Sequence, residues 1–254
     1  MRKFDGVELL SIVGFSVVAT LYLSGLVLGP APASHGVDED VLATVTKRYG
    51  PDKFSQGPEE WLIRDFFKDK RNGVFLDVGA FDARNLSNTY ALERDFGWSG
   101  IAIDAIAEFA PGYREFRPQS RFVVAFVGDR DVGEETLHLN PEDLSNSSAS
   151  DQFTHLFTKT TVARQIRVRT LDGILEEHKV DRIDLLSMDI ELGEPVALAH
   201  FSIDRYRPKL AVVEAHSQTR QAILEYFARA GYVVVGRYLR ADTRNLYFAP
   251  LGPA

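Results

Sequence analysis

The sequence predicts an α/β domain whose mostly parallel, seven-stranded sheet is finished by an antiparallel hairpin, and three observations predict it. Short apolar runs at 74–78, 101–103, 122–127, 183–188 and 209–213 alternate with amphipathic stretches. That is the pattern of strands buried on both faces with helices crossing between them. An acidic residue closes or follows nearly every run, at Asp77, Asp104, Asp129, Asp189 and Glu214. Finally, 232–238 and 246–249 read as strands separated only by the turn-like 241–245. Two strands with no crossover helix between them pair antiparallel.

The first unit carries the most information. After the strand at 74–78 the chain breaks at Asp77-Val78-Gly79-Ala80, where glycine permits a sharp turn and close approach to the backbone. A helix is expected to start near Asn85 or Ser87, both good capping residues, and to stop at Gly97. The next strand ends on Asp104, about 20 or more residues after the turn, where a carboxylate can take the two hydroxyls of a ribose. Phe81 and Arg84 stand where a dinucleotide fold would place its further glycines. A pyrophosphate is therefore disfavoured, and a ligand with ribose and adenine but no phosphate, such as S-adenosylmethionine, fits. The plainer reading of the same residues is a tight turn beside a solvated aspartate.

Composition narrows the classes. With 254 residues there is room for one sizeable α/β domain and an additional segment. A net charge of −7 argues against a binder of duplex nucleic acid, which carries a basic footprint. Without cysteine there is neither a disulfide nor thiolate chemistry. Residues 7–28 are apolar and long enough for a membrane helix, preceded by Arg2 and Lys3, with no further Lys or Arg until Lys47. Residues 1–29 are thus expected to be a single-pass membrane anchor or a signal, with Ala31-Pro32-Ala33 as a possible cleavage site. The charge bias favours a cytoplasmic N-terminus with the domain on the far side, which conflicts with a cofactor made in the cytosol. Orientation is left open. Residues 30–46 read as a linker and 47–254 as the globular domain.

Within that domain, 58–67 is an amphipathic helix with Glu59 and Glu60 in its first turn, and Ser55-Gln56-Gly57 is expected over the mouth of the first turn. Gln56 and Glu60 are candidate ligand contacts, or else parts of a helix covering the sheet. The strand at 122–127 is expected to place Asp129 against an adenine amino group. Residues 132–170 are the least regular, with a short strand near Leu137 and a polar stretch at 144–148, either an insertion over the site or a surface loop. A short helix opens near Leu171 and runs through Glu177. Asp189 and Glu191 then follow a strand, Gly193-Glu194-Pro195 opens the next helix, and Glu214-Ala215-His216 follows the next strand. In an open parallel sheet these ends share one rim, where ligands bind. Asp77, Asp104, Asp189, Glu191, Glu214 and His216 are expected to converge there.

Four blocks of sequence resemble the FkbM-type methyltransferases from about Lys47 onward: Ser55-Gln56, the run from Phe75 to Asp104, the run from Arg169 to Pro195, and VVEAH at 212–216. The resemblance implies a Rossmann-like class I methyltransferase fold, S-adenosylmethionine as cofactor, and methyl transfer to an oxygen of a sugar or small metabolite. It implies that Asp77, Gly79 and Asp104 hold the cofactor, and that Asp189, Glu191 and Glu194 shape the site. The expected cofactor set is Gln56, Glu60, Asp77, Gly79, Ala80, Asp104, Asp129 and Asp189. His216 is the expected base, with Asp189 and Glu191 as the alternative, or as holders of a divalent cation that nothing in the sequence demands. Ala83 and Leu192 depart from the family, which commonly has glycine there. A rival reading is a non-catalytic membrane-anchored adaptor binding a nucleoside or glycan, its pocket filled by Arg84 and Leu192. The partner expected is a small-molecule or glycan acceptor rather than nucleic acid, with the oligomeric state open.

Overall fold

Apolar runs too short for helices pair side by side and bury both faces. In a computed structural model of the protein, which describes residues 40–252, they form the strands β1 (Val74–Val78), β2 (Ser99–Asp104), β3 (Ser120–Val124), β7 (Leu185–Met188) and β8 (Leu210–Glu214). These pair in parallel, and β10 (Asn245–Pro250) joins β8 antiparallel, with β9 (Tyr232–Val234) antiparallel on its outer edge. The order β3-β2-β1-β7-β8-β10-β9 is the seven-stranded, mostly parallel Rossmann-like sheet expected from the sequence. The terminal hairpin is present, although its first strand stops at Val234 and continues as a 3-10 turn over Gly236–Tyr238.

Helices cover both faces. On one side α6 (Leu171–Glu177), α7 (Glu194–Ala199), α8 (Ile203–Tyr206) and α9 (Arg220–Arg229) pack Leu171, Ile174, Leu198 and Phe227 against β1, β7 and β8. On the other, α1 (Val41–Tyr49) and α2 (Glu59–Phe67) bring Val45, Leu62 and Ile63 against Phe75, Leu185 and Val212. Because Val45 is only 1% exposed and Asp40 caps α1 through the Ala43 N–H, α1 already belongs to the packed body, ahead of the boundary expected at Lys47. The apolar segment 7–28 lies outside the described residues. Among the described residues no helix is long and apolar enough to cross a membrane.

Two local departures from expectation have physical causes. The helix after β1 is α3 (Tyr90–Phe96), not one starting at Asn85 or Ser87. Leu86 adopts φ +59° and bridges to Ser55, which holds the preceding residues out of helical geometry, while Ser87 Oγ accepts the Tyr90 N–H from outside the helix. The run 122–127 is also not one strand. It breaks at buried Ala125, whose N–H donates to the Asp104 carbonyl, and Phe126–Val127 (β4) continues in a separate three-stranded sheet with β5 (Glu134–Leu139) and β6 (Val162–Arg169). Within it β6 pairs parallel with β4 and antiparallel with β5. The irregular region is therefore an ordered insertion carrying α5 (Asp151–Thr154). Between β2 and β3 the chain passes through α4 (Ala110–Phe116).

Candidate active site

Gly79 sits at the end of β1 with φ +75°, and a Cβ there would lie 1.7 Å from the backbone oxygen of Asp189. Only glycine lets the turn after β1 and the loop after β7 touch. The Gly79 and Ala80 N–H groups both donate to the Ile103 carbonyl, tying the turn to the end of β2. There Asp104 accepts the Phe81 N–H at 2.9 Å and the Ile106 N–H at 2.8 Å. Burial pushes its carboxyl up to about 6, against those two donors, which favour the charged form. Each oxygen keeps acceptor capacity for a further hydroxyl.

A cavity of about 410 Å³ opens over these strand ends, within the range of small-molecule sites. It reaches from Gly79 and Asp104 to Asp189, Glu191, Glu214 and His216. A slot of about 80 Å³ adjoins it at Gly79, Asp104 and Asp189, walled by apolar Ala125, Val127 and Leu137 from the seam between the two sheets. The insertion forms part of the large cavity's wall through Leu144, Ser145, Asn146, Phe153 and Phe157, so its position over the site is observed. It is tied down where the Ser148 hydroxyl donates to the Glu191 carbonyl at 2.7 Å.

The far wall is acidic. Glu191 and Leu192 adopt φ +51° and +80°, a left-handed pair that turns the chain back after β7. Glycine at Leu192, the pattern common in the resembling family, would adopt this geometry freely. Burial first, then Asp189 and Glu194, push the Glu191 carboxyl up to about 8. Burial followed by Glu191 pushes Glu214 up to about 7, and Asp189, facing Glu214, is raised strongly. Glu194, raised to about 7 mainly by burial, accepts the Ile190 N–H at 2.9 Å and so closes the loop onto α7. His216 Nε2 lies 3.2 Å from Glu191 Oε2 and 3.0 Å from Glu214 Oε2, without a hydrogen bond to the latter. Burial lowers its pKa, and its ring stands edge-on to Phe153 at 5.3 Å.

Of the residues expected at the site, Gln56, Gly79, Asp104, Asp189, Glu191, Glu214 and His216 line the cavity. Five do not: Glu194 closes the loop onto α7 as described, and the other four are each occupied elsewhere. Asp77 is buried beneath the turn, accepting the Thr89 hydroxyl at 2.6 Å, and so anchors the entry to α3. Ala80 is buried with its carbonyl accepting the Tyr113 hydroxyl. Glu60 accepts the Phe54 N–H at 2.8 Å and is paired with Arg64, bracing α2. Asp129 is exposed and paired with Arg130 at 2.8 Å, because the break at Ala125 carries it away with the small sheet. Arg84 lies over the Phe116 ring and Leu192 lines a different pocket, so neither fills the large cavity.

Arg244 was not anticipated. It is the only Lys or Arg lining the cavity among the described residues, and it donates to the Gln56 side-chain oxygen at 2.8 Å. Topology held the signal: a strand antiparallel to β8 must begin where β8 ends, so the loop before β10 reaches the rim. Phe153 and Phe157 were also missed, being placed by the insertion.

The arrangement fits a phosphate-free nucleoside: an apolar slot for a base, a carboxylate at its mouth for hydroxyls, and a single cation nearby. Residues 77–234 match the family model described as the methyltransferase FkbM domain. The chain belongs to that family and is an S-adenosylmethionine-dependent methyltransferase. No match was found among curated proteins. Among solved structures it is similar to a TehB-like S-adenosylmethionine-dependent methyltransferase from Corynebacterium glutamicum, at 16% identity over 82% of this chain and 94% of that one, with a TM-score of 0.42. It is similar to the 1,6-didemethyltoxoflavin-N1-methyltransferase of Burkholderia thailandensis, at 13% identity, 96% and 91% coverage and a TM-score of 0.38. An O-methyltransferase from Bacillus cereus gives 13% identity, 91% and 96% coverage and a TM-score of 0.39. Identities and scores this low leave the conclusion to the family match.

Proposed function

We propose that the protein transfers a methyl group to a hydroxyl of a sugar or small metabolite. The observation that carries this reading is the convergence of Glu191, Glu214 and His216 on one wall of the cavity, across from Gly79 and Asp104. S-adenosylmethionine, when bound, supplies an electrophilic methyl carbon on sulfur. Asp104 would take its ribose hydroxyls, Gly79 would let its chain lie against the backbone, and the slot at Ala125 and Val127 would take its base. Gln56, held by Arg244, and Asp189 would meet its polar end.

The residues of the far wall then deal with the acceptor. A hydroxyl is a weak nucleophile until its proton is removed, and positioning adds a further large share of the rate. Glu191, Glu214 and His216 can each accept a proton in their unprotonated forms at the cavity surface, and the insertion lines the same cavity with Phe153 and Asn146. The adaptor reading finds no support, since Arg84 and Leu192 leave the large cavity open.

Calorimetric titration of the demethylated product, S-adenosylhomocysteine, into the chain tests the first half. Binding that disappears in Asp104→Ala is expected, and a folded protein that binds nothing would sink the reading. For the second half, turnover of a hydroxylated acceptor should fall by about 100-fold or more in His216→Asn while product affinity stays unchanged. Membrane attachment through residues 7–28 belongs to the same proposal, supported by their apolar sequence and tested by membrane fractionation with and without that segment.

A further inference from the structure

We propose that Glu191, Glu214 and His216 form a binding site for one divalent cation of the manganese or magnesium kind. Two observations independent of each other point there. The first is geometric. His216 Nε2 stands 3.0 Å from Glu214 Oε2 and 3.2 Å from Glu191 Oε2, and one ligand atom from each of the three residues lies within 4.8 Å of the others. Adjacent ligands around an octahedral ion, with bonds near 2.1 Å, are separated by about 3.0 Å. A ring nitrogen can carry one hydrogen, so at most one of its two carboxylate contacts is a hydrogen bond. A cation between the three groups satisfies both contacts at once.

The second observation is an orphaned atom. Glu214 is 8% exposed, and its Oε2, aimed at this cluster, has no hydrogen-bond partner. A buried carboxylate oxygen without a donor is costly, and bound metal is one of the few things that resolves it. Beyond a carboxyl–carboxyl hydrogen bond shared with Asp189, the neighbourhood offers little other compensation. Four carboxyl groups line the cavity, and Arg244, its one Lys or Arg among the described residues, is turned toward Gln56 and Glu59. Two carboxylates and an imidazole suit manganese, with magnesium the harder alternative, and leave coordination positions open toward the cavity.

Those open positions fit two neighbouring hydroxyls of the acceptor, a sugar-like diol. This part rests on the methyl-transfer reading; the cation site does not. Coordination lowers the pKa of a bound hydroxyl. Its O–H bond breaks with the proton passing to the ionised form of Asp189, which with Asp104 is one of two cavity carboxylates outside the ligand set. The new bond forms between that oxygen and the methyl carbon, as the carbon–sulfur bond breaks and leaves the thioether.

The test is a titration of manganese chloride into the chelator-stripped full chain, followed by electron paramagnetic resonance of the free ion and by calorimetry. One ion per chain at micromolar affinity is expected, weakened by about tenfold or more in Glu214→Gln and in Glu191→Gln. S-adenosylhomocysteine affinity should stay unchanged in both variants, which also reports on their folding. Glu191→Gln stands in if Glu214→Gln does not fold. No saturable manganese binding, or binding that the folded variants leave intact, overturns the site. Manganese binding without any binding of S-adenosylhomocysteine would keep the cation site and remove the methyltransferase reading instead.

Discussion

Glu93 and Glu214 are both buried carboxylates in one small domain, 3% and 8% exposed, and they have opposite surroundings. Glu93, in α3, accepts Arg117 Nε at 2.7 Å, the Gln119 N–H at 2.8 Å and the Ser120 hydroxyl. Arg117, itself fully buried, also donates to the Ala83 carbonyl and to Ser87 and Thr89. Thr89 in turn holds Asp77, so one satisfied network fixes the underside of the turn after β1. Glu214 has the histidine and three other acids, Glu191, Asp189 and Glu194, for company and an oxygen with no partner. The contrast separates scaffold from site. A buried charge whose valences are filled by protein holds the fold, whereas one left wanting marks where something else belongs.

The largest effect should come from breaking the point where the two regions meet. Gly79→Ala places a Cβ 1.7 Å from the Asp189 carbonyl oxygen and cannot relax without separating β1's turn from β7's loop. A loss of about 3 kcal/mol or more in chemical denaturation, with S-adenosylhomocysteine binding abolished, is expected. On the scaffold side, Arg117→Met strands Glu93 without its cation and should cost about 3–5 kcal/mol, read as a lowered denaturation midpoint.

Asp104 sharpens the comparison through pH. Its carboxyl is raised from 3.8 to about 6 on folding, so the folded chain holds that proton more tightly than the unfolded one. Stability from this group is therefore full below the unfolded value and is lost as pH rises through about 6. Asp104→Asn should flatten that part of the stability profile. Ribose hydroxyls donate best to the ionised carboxylate. Product affinity should accordingly fall below pH 6, by at most about tenfold per pH unit, as calorimetry at pH 5 and 7 would show. The smallest effect belongs to Leu192→Gly, where relief of the φ +80° backbone opposes the added freedom of the unfolded chain. A change within about 1 kcal/mol is expected by thermal melting.

These residues also show why some parts were legible in the sequence. The turn at Gly79 and the acids at Asp104, Asp189 and Glu214 were readable because parallel strands end on one edge and their next residues must face it. The small sheet was not. In Val162–Arg169 only Ile166 and Val168 are buried, among exposed or half-buried residues that include three arginines, and its antiparallel partner β5 lies across a long connection. Apolar continuity across 122–127 concealed the break at Ala125, and with it the fate of Asp129. Glu60 and Asp77 stand outside the cavity lining for a reason that sequence does not carry: an acid near a rim and an acid beneath it look alike until their donors are known.

The seam at Ala125 has a consequence for motion. Main sheet and insertion share the walls of the apolar slot, with Ile103 contributed by one and Leu137 by the other. A base wedged between them would act as a clamp, stapling two independently hydrogen-bonded sheets into one. Amide protons of β5 and β6 should then exchange more slowly when the slot is filled, while those of β7 and β8, buried in the middle of the large sheet, keep the same pace.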